Sequence, residues 1–288
     1  MRSDANPEFR FDKVSPAWAG SRALVEGVLR SLEARDIPLG VRLLKAQEGS
    51  MVVRAVVGEK ALIVKRRKLE GVRQRVANRA HASRAFRQWR GIKLLVRAGI
   101  PVSRPVAVVS RRGHCEWLVL EEVPGETALA LLTGRALSVR DQHAAARAVG
   151  VQASTLLRAG LTNRDHKLSN IVVSMEDGVP LVTLIDTVAI RRRGNPGELV
   201  RMLATLLIEA IGVQHPPRGA IAFRALRDAC AAWLEATLGR PLGAHKGDRK
   251  ALRALVRSTA RRIDQYVRTH GDPTPEVSPL ETPKWPDR

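Results

Sequence analysis

Short runs in which apolar and polar residues alternate occupy the chain from about residue 41 to residue 123. A period of two is typical of half-buried β-strands. The runs that show it are LLKAQ, SMVVRAVV, KALIVKR, RPVAVVS and EWLVLEEV. The Gly58-Glu59 pair separates two of these runs, as a turn would. We therefore predict a small antiparallel sheet in this part of the chain.

Helical patterns fill most of the remaining sequence. Residues 1 to about 40 are mainly helical in pattern, a basic helical stretch runs from about Val72 to Arg97, and the chain becomes mostly helical after Pro124. Gly99 and Pro101 would end the basic stretch. The predicted organisation is an N-terminal helical extension (1–40), a β-rich lobe (41–123), a helical lobe (124–270) and a disordered Pro-rich tail (271–288).

Composition narrows the class of protein. The 288 residues have a net charge of +21, which implies attraction to nucleic acid, an anionic membrane surface or a phosphorylated substrate. Aromatic residues make up 3% of the chain, too few to stack exposed bases along a strand, which lowers the rank of nucleic acid. Cys115 and Cys230 are isolated and form neither a disulfide framework nor a zinc motif, as in a protein of the reducing cytoplasm.

The sequence predicts neither a signal peptide nor a membrane span. The N-terminal residues MRSDANPEFRF lack an apolar core, and Arg201 and Glu209 interrupt the longest apolar helical stretch, Leu199–Val213. We therefore expect a cytoplasmic protein that reaches a membrane only peripherally.

Polar residues crowd the loop LTNRDHKLSN, which lies between a predicted helix and a predicted strand. Ser138 and Asp141 form a capping-box-like start to that helix, and Gly160 is a plausible C-terminal stop. The runs IVVS and LVTLID follow the loop and read as a hairpin joined by MEDGVP. A hairpin brings its two ends together.

We therefore expect Asn170, just before the first strand of this hairpin, to lie beside Asp186 at the end of the second. Asp165 belongs to the same loop as Asn170. Oxygen-bearing side chains that converge in this way suit Mg²⁺ and a reacting phosphate.

These motifs resemble those of the protein-kinase-like fold. NRDHKLSN is similar to the HRDxxxxN catalytic loop, LID to the metal-binding DFG position, ALIVKR to the VAIK strand and LVLEEVPGE to the hinge, and the motifs follow the same order. Two longer stretches, LLKAQEGSMVVRAVVGEKALIVKR and SRAFRQWRGIKLLVRAGIPVSRPVAV, most resemble the bacterial lipopolysaccharide kinase family, which phosphorylates core sugars. The resemblance implies an α+β, two-lobed kinase fold with a small antiparallel β lobe.

The resemblance also implies roles for individual residues. In the catalytic loop, Asp165 would be the base for a sugar hydroxyl and Lys167 would lie by the transferred phosphoryl group. The nucleotide and metal residues would be Lys65 on the α and β phosphates of ATP, Gly49 and Ser50 near the phosphates, Glu121 at the hinge, and Asn170 and Asp186 on Mg²⁺.

The sequence departs from the kinase pattern in several places. Asn163 replaces the loop His, Thr187 and Val188 follow the metal Asp, and no GxGxxG loop is present. Gln88 occupies roughly the position of the helix Glu that pairs with the strand Lys, and a Gln cannot neutralise an ammonium. These departures support a rival reading, a pseudokinase that binds nucleotide without turnover.

Other interpretations stay open at the level of sequence. Gly49 and Ser50 suit an ordinary hairpin turn, Lys65 could begin a solvated KRRK strand end, and Lys167 could be a surface lysine. The acceptor could be a protein or a small molecule, and charge alone supports a basic nucleic-acid-binding protein. The basic runs, including Arg191 to Arg193 after the metal Asp, could bind an acidic sugar or dock on an anionic leaflet.

Overall fold

The computed structural model describes residues 9–34, 40–111, 114–133, 137–193, 195–212 and 217–270. The Pro-rich tail, predicted to be disordered, lies outside these residues. The described residues form two compact units, one within Met1–Lys93 and Ser103–Glu122 and the other within Leu94–Val102 and Val123–Glu281.

An antiparallel sheet forms the first unit. Its strands are β1 Phe9–Val14, β2 Arg42–Gln47, β3 Ser50–Val57, β4 Lys60–Lys68, β5 Pro105–Arg111 and β6 Cys115–Glu121, in the order β1-β5-β6-β4-β3-β2. Alternation places Met51, Val53 and Ala55 of β3 in the core, as a period of two requires. The sheet therefore follows from the pattern of its strands.

Three helices accompany this sheet: α1 Arg22–Ala34, which follows a short 3-10 helix Pro16–Ser21, α2 Val72–Arg79 and α3 Arg84–Arg97. Val25, Leu29 and Leu32 on one face of α1 join the same core as the buried side chains of β3. Their i, i+4, i+7 spacing explains why α1 lies against the sheet.

The N-terminal segment differs from the mainly helical prediction because β1 is a strand. It pairs antiparallel with β5, from Phe9 opposite Arg111 to Val14 opposite Ala107, and its register shifts between Phe11 and Lys13. The partner strand lies about a hundred residues away in sequence, so no local pattern could specify the pairing.

The basic helical stretch is also divided. His81 adopts a left-handed backbone with φ of 54°, which ends α2 before α3 begins. Its ring stacks on Phe86 with centroids 4.4 Å apart. This stacking favours a helix break that the sequence pattern did not predict.

The second unit is mainly helical. Its elements are β7 Glu126–Thr127, α4 Ala128–Thr133, α5 Val139–Arg158, β8 Leu161–Asn163, β9 Ile171–Glu176, β10 Val179–Leu184, β11 Ile190–Arg192, α6 Pro196–Gly212, α7 Gly219–Leu238 and α8 Asp248–His270. The predicted cap of α5 forms, since the Ser138 hydroxyl accepts the Asp141 N–H at 3.1 Å. Among the described residues, no helix is long and apolar enough to cross a membrane.

Helices α5 and α7 approach so closely at Gly150 that no side chain fits there. A Cβ at Gly150 would lie 2.1 Å from the carbonyl oxygen of Ala225, which is backbone and cannot rotate away. Helix α5 runs through the core of the second unit and, through β8, leads to the predicted catalytic loop.

We expect Gly150→Ala to lower the free energy of unfolding by about 1–3 kcal/mol, because α7 must shift to relieve the clash. Gly27→Ala is the matched control. Gly27 lies on the exposed side of α1 with no atom within 4 Å of an added Cβ, so alanine there should raise stability by about 0.5–1 kcal/mol. Chemical denaturation of both variants measures the difference, and equal effects would contradict the close crossing.

Candidate active site

The predicted catalytic loop lies between β8 and β9 in the second unit. The backbone N–H of Asp165 donates to the Asn163 side-chain oxygen at 3.1 Å, so the residue that replaces the kinase His fixes the start of the loop. The loop then turns through a short 3-10 helix, Leu168–Asn170. Both ends of the loop are therefore tied to regular structure.

A tight hairpin delivers Asp186 to this loop. Asp177 and Gly178, both with positive φ, form the turn between β9 and β10, and the strands stay in register to the pair Ile171 and Leu184. The next bond joins the Ile185 N–H to the Asn170 carbonyl oxygen at 3.0 Å. The hairpin therefore places Asn170 opposite Ile185, one residue before Asp186, and the predicted meeting of the Asn170 and Asp186 side chains stays a prediction.

The loop side chains contact one another. The Asn170 amide nitrogen donates to the Asp165 carboxylate at 3.1 Å, and the Lys167 ammonium lies 3.2 Å from the other oxygen of that carboxylate. Asp165 and Lys167 are partly exposed, at 39% and 40% of their side-chain area. A carboxylate that is held by two neighbours and open to solvent can accept a proton from a bound hydroxyl group.

The donor set suits a magnesium ion of the kinase type. The Asn170 amide nitrogen faces Asp165, so the amide oxygen is the atom left to face a cation, and one Asp186 oxygen accepts the Val188 N–H at 3.1 Å. No group of three or more His, Cys, Asp or Glu side chains forms a metal cage in the described part of the chain. One amide and one carboxylate fit Mg²⁺ that also binds phosphate and water.

The predicted nucleotide residues lie in the first unit. Lys65 pairs with Val52 in the middle of the sheet, while Ser50 begins β3 and pairs with Arg67, two residues further along β4. Gly49 belongs to the turn before β3, and its φ of 68° is one that glycine adopts without strain. Gly49 and Ser50, at the start of β3, and Lys65, on β4, therefore belong to neighbouring strands of one sheet.

Glu121, at the end of β6, accepts hydrogen bonds from two protein groups. Its carboxylate accepts the Trp18 indole N–H at 2.7 Å, and its carbonyl oxygen accepts the Ser103 hydroxyl at 2.7 Å. No sequence pattern indicated that Trp18, from the N-terminal segment, contacts Glu121. A nucleotide contact by Glu121 stays a prediction.

The sequence did not predict the positions of two residues that lie at this loop, Glu209 and His166. Glu209 of α6 accepts the backbone N–H of Ser169 at 2.8 Å and also binds its hydroxyl, which anchors the 3-10 turn of the loop. His166 is fully buried beside the proposed base. No sequence signal identified Glu209, because the contact joins a helix and a loop far apart in the chain.

His166 sits in surroundings that disfavour its charged form. Burial lowers its pKa from 6.5 to about 4, and neither ring nitrogen has a hydrogen-bond partner among the described residues. The unfolded chain therefore binds more protons than the folded chain between these two pKa values.

We expect the free energy of unfolding to fall as the pH drops below about 6.5, with a total loss from His166 of about 3 kcal/mol once the pH is near 4. Chemical denaturation at a series of pH values measures this loss. His166→Phe should flatten the profile, whereas His245→Gln, at an exposed histidine, should leave it unchanged. A profile for His166→Phe as steep as the wild type would contradict the assignment.

The fold and the loop–hairpin arrangement define a chain of the protein-kinase-like class. The sequence predicted an α+β, two-lobed fold. Similarity to a solved structure, described as WaaP in complex with acyl carrier protein, confirms this fold. That structure is similar over 90% of this chain and 98% of the other, with a TM-score of 0.52 and 20% identity, which is evidence for the fold.

The model of the lipopolysaccharide kinase (Kdo/WaaP) family matches residues 45–198, more than half of the chain. The chain belongs to this family and is a kinase, as its motifs predicted. None of the curated proteins compared with the sequence matches it.

Proposed function

We propose that this protein transfers the γ-phosphoryl group of ATP, with Mg²⁺, to a sugar hydroxyl of a lipopolysaccharide core-type glycolipid. The observation that carries the proposal is the contact of Asp165 with Lys167 and Asn170 at the open end of the hairpin that bears Asp186. Family membership supports the acceptor class, since the family acts on lipopolysaccharide.

Asp165 is the proposed base. Its backbone is fixed by Asn163 and its carboxylate by Asn170, so it can orient a hydroxyl group without a change of loop conformation. As the hydroxyl oxygen forms its bond to the γ-phosphorus and the bond to the ADP oxygen breaks, the hydroxyl proton passes to the Asp165 carboxylate. Lys167, already beside that carboxylate, supplies positive charge next to the transferred group.

Asn170 and Asp186 are the proposed Mg²⁺ ligands, through amide and carboxylate oxygens. When bound, the ion would neutralise charge on the phosphates. Lys65, Gly49 and Ser50 are the proposed phosphate contacts, so residues 41–123 are the proposed nucleotide-binding lobe and residues 124–270 the proposed catalytic lobe.

Arg191 to Arg193 are proposed to bind an acidic group of the acceptor. β11 pairs with β8, which leads directly into the catalytic loop, and all three arginines are exposed. Arg191 donates to the carbonyl oxygens of Val188 and Ile190 at 3.1 and 2.9 Å, so its guanidinium is held against the segment that follows Asp186. Guanidinium N–H groups also donate to phosphate and carboxylate oxygens, often in pairs.

Incubation of core glycolipid with the protein, ATP and Mg²⁺, followed by mass spectrometry, tests the proposal. We expect a mass increase of one phosphate on the sugar portion, dependent on Mg²⁺. The wild-type protein binding ATP without modifying any glycolipid, sugar or protein acceptor would contradict turnover and favour the pseudokinase. Phosphorylation of proteins but no sugar would overturn the acceptor class.

A further inference from the structure

Helix α2 has its apolar residues on the outside. Val72 is 74% exposed and Val76 is 56% exposed, although both are the kind of residue that a surface helix usually turns inward. The one buried side chain of α2 is polar: Asn78. The usual amphipathic arrangement is therefore inverted.

Hydrogen bonds rather than apolar packing attach α2 to the first unit. The Asn78 amide donates to the buried Glu116 carboxylate at 3.3 Å and accepts the Ser110 hydroxyl at 3.2 Å. An eight-residue helix is marginal by itself, so these bonds hold it in place. Because Asn78 does the anchoring, the two valines are not required for attachment to the sheet.

The outward face of α2 is also positively charged. Val72, Val76 and Arg79 follow at i, i+4 and i+7 and so share one face, with Arg73 beside them. Arg73 and Arg79 are exposed and form no ion pair among the described residues. The sequence from Gly71 to Cys115 contains no Asp or Glu, so no acid on α2 or α3 offsets this charge.

We propose that this face of α2, formed by Val72, Arg73, Val76 and Arg79, docks on an anionic lipid leaflet. The valines would enter the boundary between headgroups and acyl chains, and the arginines would bind headgroup phosphates. Interfacial amphipathic helices use their apolar and basic residues in the same two ways. Three exposed cations of the first unit, Arg87, Arg90 and Lys93 on α3, add long-range attraction to the same kind of surface.

A lipid surface fits this face better than a nucleic acid does. A nucleic acid would use the arginines but would gain nothing from two exposed valines, whereas an anionic leaflet uses both. The proposal rests on the proposed function, because a glycolipid acceptor lies in a membrane and a docked enzyme meets it there. The face therefore deepens that function by naming the surface that brings the enzyme to its substrate.

Vesicle sedimentation of the full chain tests the docking face, with phosphatidylcholine–phosphatidylglycerol vesicles against pure phosphatidylcholine. Val72→Ser with Val76→Ser should weaken binding to the anionic vesicles about tenfold, at low and high salt alike. The matched control is Val139→Ser with Val179→Ser, two valines of the second unit with exposures of 53% and 67%, and it should bind as the wild type.

The arginines have a matched control of their own. Arg73→Gln with Arg79→Gln should weaken binding about twenty-five-fold at low salt, since each charge near the surface contributes about a factor of five. Arg257→Gln with Arg261→Gln removes the same charge from the exposed face of α8 and should have a much smaller effect. An equal loss in the α8 variant would overturn the assignment to α2, because net charge alone would then explain binding.

Parallel assays separate docking from catalysis. The α2 variants should retain ATP-induced thermal stabilisation and activity on detergent-dispersed glycolipid, and this result with lost vesicle binding supports the proposal. Vesicle binding by the α2 variants as strong as the wild type overturns docking and leaves the kinase proposal standing. Vesicle binding through α2 without phosphorylation of any glycolipid supports docking and overturns the acceptor.

Discussion

Asp165→Asn is expected to reduce sugar phosphorylation by about 10²-fold or more while ATP affinity stays nearly unchanged. The amide retains the shape of the side chain but cannot accept the hydroxyl proton, and loss of a positioned base has an effect of this size. The fold should survive because the side chain is 39% exposed and the bond that ties the loop to Asn163 uses the Asp165 backbone. Initial rates in parallel with nucleotide titration measure both quantities.

Asp264→Asn is the control for this change, since Asp264 is an exposed carboxylate on α8 that pairs only with Arg268 in the described residues. It should have the turnover of the wild type. An Asp165→Asn protein as active as the wild type would remove this residue from the mechanism, and a parallel loss of ATP affinity would assign it to nucleotide binding instead.

Asp186→Asn is expected to abolish the Mg²⁺-dependent part of the stabilisation that ATP confers on the protein. A ligand present at a hundred times its Kd stabilises the folded state by about 2.7 kcal/mol, which a thermal melt detects. Asparagine keeps the oxygen that accepts the Val188 N–H, so the turn after the hairpin should persist. The lost charge alone should weaken the hold on the cation.

The same substitution at the opposite end of the hairpin provides the control. Asp177 lies at the turn with φ of 51°, a conformation that asparagine also tolerates, so Asp177→Asn should keep the full ATP and Mg²⁺ response. An undiminished response in Asp186→Asn would show that the cation is held elsewhere.

Local patterns were sufficient to predict the parts of the fold that depend on neighbours in sequence. Strands β2, β3 and β4 form consecutive hairpins, and their alternation specifies both the strands and their pairing. The β9–β10 hairpin follows for the same reason, and with it the position of Asn170 beside the end of β10. The contact of Asn170 with Asp165 is local to the loop, and the convergence of Asp186 with these two side chains stays a prediction.

Long-range contacts account for what the sequence did not predict. β1 depends on β5, the position of Trp18 depends on Glu121, and the hold on Ser169 depends on Glu209 of a distant helix. The burial of His166 is likewise a property of the packed unit, since its neighbours in the loop are polar. Such contacts carry no periodic signal, because either partner is ordinary in its own segment.

The two edge strands of the six-stranded sheet, β1 and β2, affect how copies of this protein behave at high concentration. Unpaired backbone groups on an edge strand can template pairing with another molecule. Here β1 has an irregular register between Phe11 and Lys13, and β2 has one between Leu43 and Lys45. Such bulges twist an edge strand away from flat pairing. The lysine at each irregularity also adds charge repulsion between two copies of the protein. The sheet thus ends in two strands poorly suited to edge-to-edge aggregation, although its interior strands are rich in valine.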